Sequence, residues 1–391
     1  MLNSDGIALL ALSSNLILPP SVNSTRNSSY PSRCRWAGIS CDRSGYATSI
    51  ELPVLRISDS LGKEIGLLRC LKKLNLAAND LSRFIPSELG NCTLLEHLKL
   101  SNNFLSGEIP VTLQNLEKLS NLALYNNSLS GNKPSLLFQR PSLEIIYLND
   151  NNLNGSIPSF NANACNVKLL QLGQNNLSGT LPNSIGLIPM TIDNLTEMDV
   201  SQNDLEGNIS FSSKTICKLE RLIFSGNIFE SELLGIGNQL VVLLLGNNML
   251  NGTIPPGLAN FSSLKRLVLS HNNLSDSIPE FFVASNLLYI DLSFNKRNGQ
   301  IPQTVGNIVN LTMINLSMNK LDGPIPRQIE NLSNLQLLNL FNNNLYGPLP
   351  FELSECHWLF VLVLRFNSFN GTIPINFENL SHLSQLILQE N

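Results

Sequence analysis

The chain has 391 residues, about twice the length of an ordinary domain, yet only 14% of them are charged and 43% are hydrophobic. A net charge of −4 argues against a nucleic-acid surface, and no run of like charges forms an acidic or basic tail. No apolar stretch approaches the roughly 18 residues that a membrane-spanning helix requires.

The N-terminal segment from Ile7 to Leu18 is apolar, but it lacks two features of a signal peptide, a basic start and a small-residue cleavage site. Asp5 precedes the segment, and the first basic residue is Arg26. We therefore predict that this segment forms a short amphipathic helix of the mature domain.

The seven cysteines fall into two groups. Cys34 and Cys41 lie close together in a segment rich in Pro and Ser, and we expect them to form a disulfide. A metal site would need two further ligands, and no histidine is near them. The scattered ones are interpreted as small buried hydrophobic residues: Cys70, Cys92, Cys165, Cys217 and Cys356.

Asn-x-Ser/Thr sequons are abundant, and together with the cysteine pair they indicate an oxidising secretory compartment. Because a chain rich in Asn and Ser also makes sequons by chance, only a subset is predicted to carry glycans. The candidate glycosylation sites are Asn91, Asn154, Asn176, Asn251, Asn260, Asn273, Asn310, Asn331 and Asn370.

An asparagine recurs in the frame Leu-x-Leu-x-x-Asn about every two dozen residues, which is the signature of a repeat. The Leu-x-Leu segment alternates with period two and predicts a short strand with one buried face. The amide that follows can bond backbone groups that the next turn would otherwise bury without partners. The fourteen positions are Asn79, Asn103, Asn127, Asn151, Asn175, Asn203, Asn227, Asn248, Asn272, Asn295, Asn319, Asn343, Asn367 and Asn391.

Most repeats continue with Gly-x-Ile-Pro, as in Gly107-Glu108-Ile109-Pro110, where Gly permits a turn and Pro fixes φ. The pattern predicts an α/β solenoid, a right-handed leucine-rich-repeat superhelix with a parallel inner sheet. We divide the chain into an N-terminal cap, residues 1–49, and an array of about 14–15 repeats, residues 50–391. Because the array stops inside a repeat at Asn391, we expect the natural protein to continue beyond it.

Several repeats depart from the consensus. Arg297 occupies a slot that elsewhere holds Leu or Phe, Arg83, Ser231 and Asp276 replace the Gly, and Ser210 and Leu234 replace the Pro. We interpret these departures as drift on a solvated face, with a functional loop or a partner contact as the alternative. Between Asn203 and Asn248, where repeat lengths also vary, we expect a local irregularity.

The cap sequence Cys34-Arg35-Trp36-Ala37-Gly38-Ile39-Ser40-Cys41, followed by Leu-x-Gly-x-Ile-Pro repeats, resembles the ectodomains of plant leucine-rich-repeat receptor-like kinases. The opening Leu2-Asn3-Ser4-Asp5-Gly6 and the later Phe366-Asn367-Ser368-Phe369-Asn370-Gly371 are most similar to the subfamily of plant elicitor-peptide receptors. This resemblance implies a longer protein with a signal peptide, more repeats, a transmembrane helix and a cytosolic Ser/Thr kinase. The chain itself contains no kinase motif.

The resemblance also implies that an Arg on an inner strand takes the C-terminal carboxylate of a peptide. The best-matching position here carries Ser270, which puts the same peptide specificity in doubt. Lys265, Arg266 and His271 are expected to substitute in part.

Side chains between and beside the strand leucines point off the inner face, and aromatic residues with Arg are usual anchors of binding surfaces. We therefore expect Tyr289→Ala combined with Phe294→Ala to abolish binding of a cognate peptide. The candidate ligand-binding residues are Tyr125, Tyr147, Asp199, Arg221, Arg266, His271, Tyr289, Asp291, Phe294, Phe341, Arg365 and Phe366.

The leading hypothesis is a non-enzymatic ectodomain of a plant defence receptor, with no cofactor, that binds a secreted peptide and a leucine-rich-repeat co-receptor kinase. Such a domain would lie on the extracellular face of the plasma membrane, reached through a segment missing here, or in the apoplast if the chain is complete. The alternatives are a secreted inhibitor of a pathogen wall-degrading enzyme, a kinase-less receptor-like protein and a nonfunctional truncated copy. No metal site is expected, because His97, His271, His357 and His382 lie in separate repeats.

Overall fold

The computed structural model describes residues 4–26, 33–160, 166–182, 195–209, 218–230, 239–280 and 286–391. The chain divides into two compact units, Met1–Asp204 (unit 1) and Leu205–Asn391 (unit 2). In each unit, one coil of chain after another adds a short strand, a turn and, in many coils, a short 3₁₀ helix.

The α-helices are Ser4–Asn15 and Pro20–Asn23. The 3₁₀ helices are Arg33–Arg35, Lys63–Leu67, Ser87–Asn91, Val111–Asn115, Leu137–Gln139, Pro256–Asn260, Gln303–Asn307, Arg327–Asn331, Phe351–Glu355 and Ile375–Asn379.

The Leu-x-Leu segments form a sheet in each unit, as the period-two pattern predicts. In unit 1 the strands are Ile39–Cys41, Ala47–Glu51, Lys73–Asn75, His97–Lys99, Asn121–Ala123, Ile145–Tyr147, Leu169–Gln171 and Glu197–Asp199. In unit 2 they are Arg221–Ile223, Val242–Leu244, Arg266–Val268, Tyr289–Asp291, Met313–Asn315, Leu337–Asn339, Val361–Val363 and Gln385–Ile387. Within each unit neighbouring strands pair in parallel and in chain order, apart from the antiparallel first pair of unit 1.

Further short strands form a second set, and all of them except Leu16–Ile17 follow the turn that leaves a Leu-x-Leu strand. They are Leu16–Ile17, Ser58–Ser60, Asp80–Arg83, Phe104–Glu108, Ser128–Gly131, Asn152–Gly155, Asn176–Thr180, Asp204–Gly207, Ile228–Phe229, Asp322–Gly323, Asn344–Pro348 and Ser368–Asn370.

The recurring asparagines form a ladder in which each side-chain amide bonds the backbone. In a representative coil, the Asn103 amide donates at 3.0 Å to the carbonyls of Leu76, one coil earlier, and Leu100, in its own coil. Its oxygen accepts the N–H of Leu81 at 2.9 Å. The same kind of bond occurs at all fourteen predicted positions, which confirms the role assigned to this residue.

The N-terminal helix closes the first coils of unit 1. Its buried side includes Leu9 and Leu12, and the carboxylate of Asp5 accepts the N–H of Ala47 at 2.9 Å. The helix ends at Asn15, three residues before the predicted end, because Leu16–Ile17 forms an antiparallel strand with Ser58–Asp59. Pairing with a distant strand therefore overrides the apolar pattern that favoured a longer helix.

The predicted disulfide between Cys34 and Cys41 forms, with their Cα atoms 5.6 Å apart. Cys92 and Cys356 are buried, as expected for small hydrophobic residues. Cys70 is only half-buried, so that interpretation is wrong for this residue. Cys165 and Cys217 lie outside the described residues.

The departures from the repeat have different outcomes. Arg83 and Asp276 keep the left-handed backbone of the Gly slot, with φ of 66° and 61°. The expected solvated face is wrong for Arg297, which is 1% exposed because its slot points into the core whichever residue fills it. Ser210, Ser231 and Leu234, on which the predicted irregularity depends, lie outside the described residues.

Candidate ligand-binding surface

Three of the predicted surface residues lie on the Leu-x-Leu sheet of unit 1. The rings of Tyr125 and Tyr147 meet edge to face, with centroids 6.3 Å apart. Burial, with Glu197 and Tyr125 nearby, raises the pKa of Tyr147. Asp199 is held by its own turn, since its carboxylate accepts both the backbone N–H and the hydroxyl of Ser201 at 2.9 and 2.6 Å.

A larger group occupies two adjacent coils of unit 2, and we call it the Tyr289 cluster: Arg266, His271, Tyr289, Asp291 and Phe294. The Arg266 guanidinium lies 4.7 Å from the centroid of the Tyr289 ring, since parallel register pairs these two residues. The imidazole of His271 stacks on the Phe294 ring, with centroids 4.0 Å apart and planes 13° from parallel. Five predicted residues therefore form one mixed aromatic and charged surface.

Contacts within the Tyr289 cluster hold the Asp291 carboxylate in place and shift the pKa of Tyr289. The Asp291 carboxylate accepts the backbone N–H and the hydroxyl of Ser293 at 3.0 and 2.6 Å. Burial and the neighbouring Asp291 raise the pKa of Tyr289, while Arg266 opposes that rise. Tyr289 therefore presents a neutral hydroxyl beside an exposed cation and a fixed carboxylate.

A second group in unit 2, the Phe366 cluster, consists of Phe341, Arg365 and Phe366. The two phenylalanine rings meet edge to face at 5.7 Å, and the Arg365 guanidinium lies 4.4 Å from the centroid of the Phe366 ring. Arg221 is also exposed, but it lies on a strand separated from Arg266 by Val242–Leu244. The structure thus brings eight predicted residues of unit 2 into two clusters and leaves Arg221 outside them.

Sequence reasoning missed three side chains that border these clusters. Met318 lies between them, where the Asn342 amide donates to its sulfur at 3.0 Å. Lys296 is exposed on the coil of Phe294, and Lys320 is exposed on the coil of Met318. Aligning the repeats at the second residue after Leu-x-Leu would have shown Met318 in the same column as Phe294 and Phe366.

The predicted sequons lie on the surface. Asn91, Asn154, Asn176, Asn251, Asn273, Asn310, Asn331 and Asn370 are exposed, and the side chain of Asn260 lies outside the description. Within the described part of the chain, none of the helices combines the length and the apolarity that a membrane crossing needs. No group of three or more acidic, His or Cys side chains among the described residues could hold a metal ion.

Comparison with known proteins agrees with the repeat geometry. A family model for a leucine-rich-repeat N-terminal domain matches residues 2–42. A leucine-rich-repeat model matches residues 70–92, 94–116, 142–163, 239–261, 263–284 and 310–332. The chain therefore carries leucine-rich repeats and has their fold.

The curated relatives of this leucine-rich-repeat chain match over short segments. The receptor-like protein kinase PEPR1 of Arabidopsis thaliana is 45% identical over 74 residues, which are 18% of this chain and 7% of the relative. Mouse lumican is 37% identical over 120 residues, 30% of this chain and 35% of the relative. The chain thus spans well under two thirds of either protein.

Solved structures match over more of the chain. The plant peptide hormone receptor RGFR1 in complex with RGF2 has a TM-score of 0.64 and 28% identity, covering 91% of this chain and 68% of that one. The Arabidopsis receptor kinase HAESA, with the peptide hormone IDA and the co-receptor SERK1, has a TM-score of 0.58 and 26% identity, covering 99% and 81%. A plant ice-binding protein has a TM-score of 0.62 and 29% identity, covering 73% and 90%.

Proposed function

We propose that this chain is the extracellular ligand-recognition domain of a plant cell-surface receptor and binds a secreted peptide on the Leu-x-Leu sheet of unit 2. The Tyr289 cluster carries the proposal. Its side chains are not required by the coil, because the leucines and the asparagine ladder already satisfy core and backbone. An exposed cation, a fixed carboxylate and stacked rings on one surface are suited to an extended polypeptide.

The similarity to peptide-receptor complexes supports this proposal, since RGFR1 and HAESA are both described with peptide hormones. Because HAESA is described with the co-receptor SERK1, we propose a leucine-rich-repeat co-receptor kinase as the second partner. The resemblance of the chain to plant elicitor-peptide receptors supports a proposed role in defence signalling. A membrane anchor and a kinase would belong to parts of the natural protein outside this chain. The domain itself would be non-catalytic and glycosylated at the exposed sequons.

The test is a capture experiment followed by calorimetry. The immobilised domain is incubated with the small-peptide fraction of plant extracellular fluid, supplemented with synthetic RGF2 and IDA, and retained peptides are identified by mass spectrometry. Each retained peptide is then synthesised and titrated against the domain. We expect Tyr289→Ala combined with Phe294→Ala to abolish binding, because the double change removes the aromatic part of the cluster.

The matched control is Tyr346→Ala, which removes a 53% exposed aromatic ring from a strand outside the cluster. This control should bind each retained peptide as the unmodified domain does. Equal affinity of the double variant and the unmodified domain would contradict the proposal.

A further inference from the structure

The second residue after each Leu-x-Leu segment adopts a left-handed backbone, and four coils of unit 2 fill this position with an aromatic or thioether side chain. In unit 1 its occupants are Val54, Ala78, Asn102, Asn126, Asp150, Gln174 and Gln202, so this unit places no aromatic ring there. In unit 2, four coils carry His271, Phe294, Met318 and Phe366, with φ of 54°, 52°, 56° and 57°. Asn tolerates this conformation well, whereas a bulky side chain is strained there.

The coil does not need these bulky residues, because Asn342 occupies the same position in unit 2 with the same φ of 54°. Two of the four side chains, Phe294 and Phe366, remain 42% and 38% exposed and are not core residues. A strained position filled by an exposed aromatic ring indicates a role in recognition.

Together with Phe341, these residues lie on five successive coils, and we call the set the edge stripe: His271, Phe294, Met318, Phe341 and Phe366. It contains two ring pairs, the stacked His271 and Phe294 at 4.0 Å and the edge-to-face Phe341 and Phe366 at 5.7 Å. Met318 lies on the coil between the pairs. The edge stripe therefore has an aromatic pair at each end, which we call its platforms, and the Met318 thioether on the coil between them.

Two lysines place positive charge beside the edge stripe. Lys296 and Lys320 are exposed, each two residues beyond a stripe residue, Phe294 and Met318 respectively. Asp322 is also exposed on the second of these coils, yet in the described part of the chain neither ammonium group forms an ion pair. The region between the platforms thus favours a negatively charged group on a ligand.

Strand geometry sets the distance between the platforms. The first pair belongs to the strands Arg266–Val268 and Tyr289–Asp291, and the second to Leu337–Asn339 and Val361–Val363. Their midpoints are three strand spacings apart, roughly 14 Å at about 4.8 Å per spacing. An extended chain advances about 3.1–3.4 Å per residue, so roughly four residues cover that distance.

We propose that the edge stripe binds an extended peptide segment with two apolar side chains four positions apart and an acidic side chain between them. The inference rests on the proposed function and names the class of peptide that the same surface takes. The apolar side chains lie on the two ring pairs, and the carboxylate lies between Lys296 and Lys320.

The test uses acetyl-Gly-Phe-Ser-Glu-Ser-Phe-Gly-amide as the probe and the full chain labelled at its methionine methyl groups. The Met318 methyl signal, assigned with Met318→Leu, reports binding in the middle of the edge stripe by its chemical shift. We expect this signal to move with the spaced peptide. The apparent Kd from this titration should be at least tenfold higher for the isomer acetyl-Gly-Ser-Phe-Phe-Glu-Ser-Gly-amide, in which the two Phe residues are adjacent. A peptide with Lys in place of the acidic residue should also bind more weakly.

Two variants separate recognition from folding. Phe294→Asn and Phe366→Asn each install the residue that suits a left-handed backbone, so the melting temperature should stay the same or rise. Each should nevertheless weaken the spaced peptide about tenfold or more, as loss of an anchor does. Phe351→Ala removes a 56% exposed ring outside the stripe and should leave the affinity unchanged.

Equal affinity for the two isomers, or undiminished binding by both Asn variants, overturns the inference. If captured natural peptides lose binding with Tyr289→Ala but not with Phe366→Asn, the inference fails and the proposed function stands. If no natural peptide is captured while the spaced probe binds as described, the receptor proposal fails and the edge stripe stands as a peptide site.

Discussion

Arg297 buries a guanidinium at a core position that holds Leu or Phe in other repeats. Replacing it with Leu should therefore stabilise unit 2. The backbone of the slot is normal, since the Arg297 N–H donates to the Asn319 side-chain oxygen at 3.0 Å. One terminal nitrogen donates to the Ser275 carbonyl. The other terminal nitrogen and Nε are buried without a hydrogen-bond partner in the described structure.

The expected gain follows from the cost of burying this charge. Burial lowers the pKa of Arg297 to about 10, roughly 2.5 units below that of a free guanidinium, although the neighbouring Asp276 opposes the shift. At 1.36 kcal/mol per pKa unit, that difference corresponds to about 3 kcal/mol against the charged form in the folded state. We expect Arg297→Leu to add about this much to the free energy of unfolding of unit 2, or roughly 6–12 °C in melting temperature.

The assay is thermal unfolding followed by circular dichroism, with hydrogen exchange of the coil around Arg297 as a local readout. The gain should be constant from pH 6 to 9, because the folded pKa is depressed and Arg297 stays charged below about 10. Arg297→Met should reproduce the gain, whereas Arg297→Lys keeps a buried charge and should not. Arg221→Leu, at an exposed position of the same unit, should change little. An unchanged or lower melting temperature for Arg297→Leu would refute the reasoning.

Three further predictions concern unit 1. Burial lowers the pKa of Lys133 to about 8, so the folded state disfavours its charge, and stability should rise as pH increases from about 8 toward 10.5. Lys133→Met should therefore gain about 3 kcal/mol at pH 7, and thermal unfolding should show that the gain has vanished near pH 10.5. Asn103→Ala leaves buried backbone groups of two coils unpaired and should cost about 3 kcal/mol or more in urea unfolding, whereas Asn152→Ala, at an exposed position, should cost little. Replacing Cys34 and Cys41 by Ala should cost about 2.5 kcal/mol, and a reductant should lower the melting temperature of the unmodified chain equally.

The repeat made most of the fold predictable. A side-chain amide after each Leu-x-Leu can satisfy both its own coil and the preceding one only if the coils stack in register, so the asparagine column implied the parallel sheet. The N-terminal helix was placed less accurately, because pairing of Leu16–Ile17 with Ser58–Asp59 depends on tertiary contacts that no local pattern encodes. The same limit applies to Cys70, whose burial depends on which neighbour covers it.

The sequence predicted which site residues lie next to each other on successive coils, but not how their side chains are arranged. Stacking two dozen residues apart places Arg266 beside Tyr289 and His271 beside Phe294, so their proximity follows from the period alone. The repeat period does not predict whether two neighbouring rings stack or meet edge to face. It also does not reveal that the column of Phe294 is left-handed, which requires the backbone angles.

The backbone angles separate what the coil requires from what it tolerates. At the Gly slot, Arg83 is exposed and keeps a φ of 66°, so its side chain can be replaced by Gly with no loss of packing. At the ladder position, Asn is required because its amide bonds two coils. The column of Phe294 and Phe366 lies between these cases, since Asn would relieve strain there and the rings stay 42% and 38% exposed. If a bound peptide supplies the main contact of such a ring, as we propose, stability and affinity should change in opposite directions in Phe294→Asn.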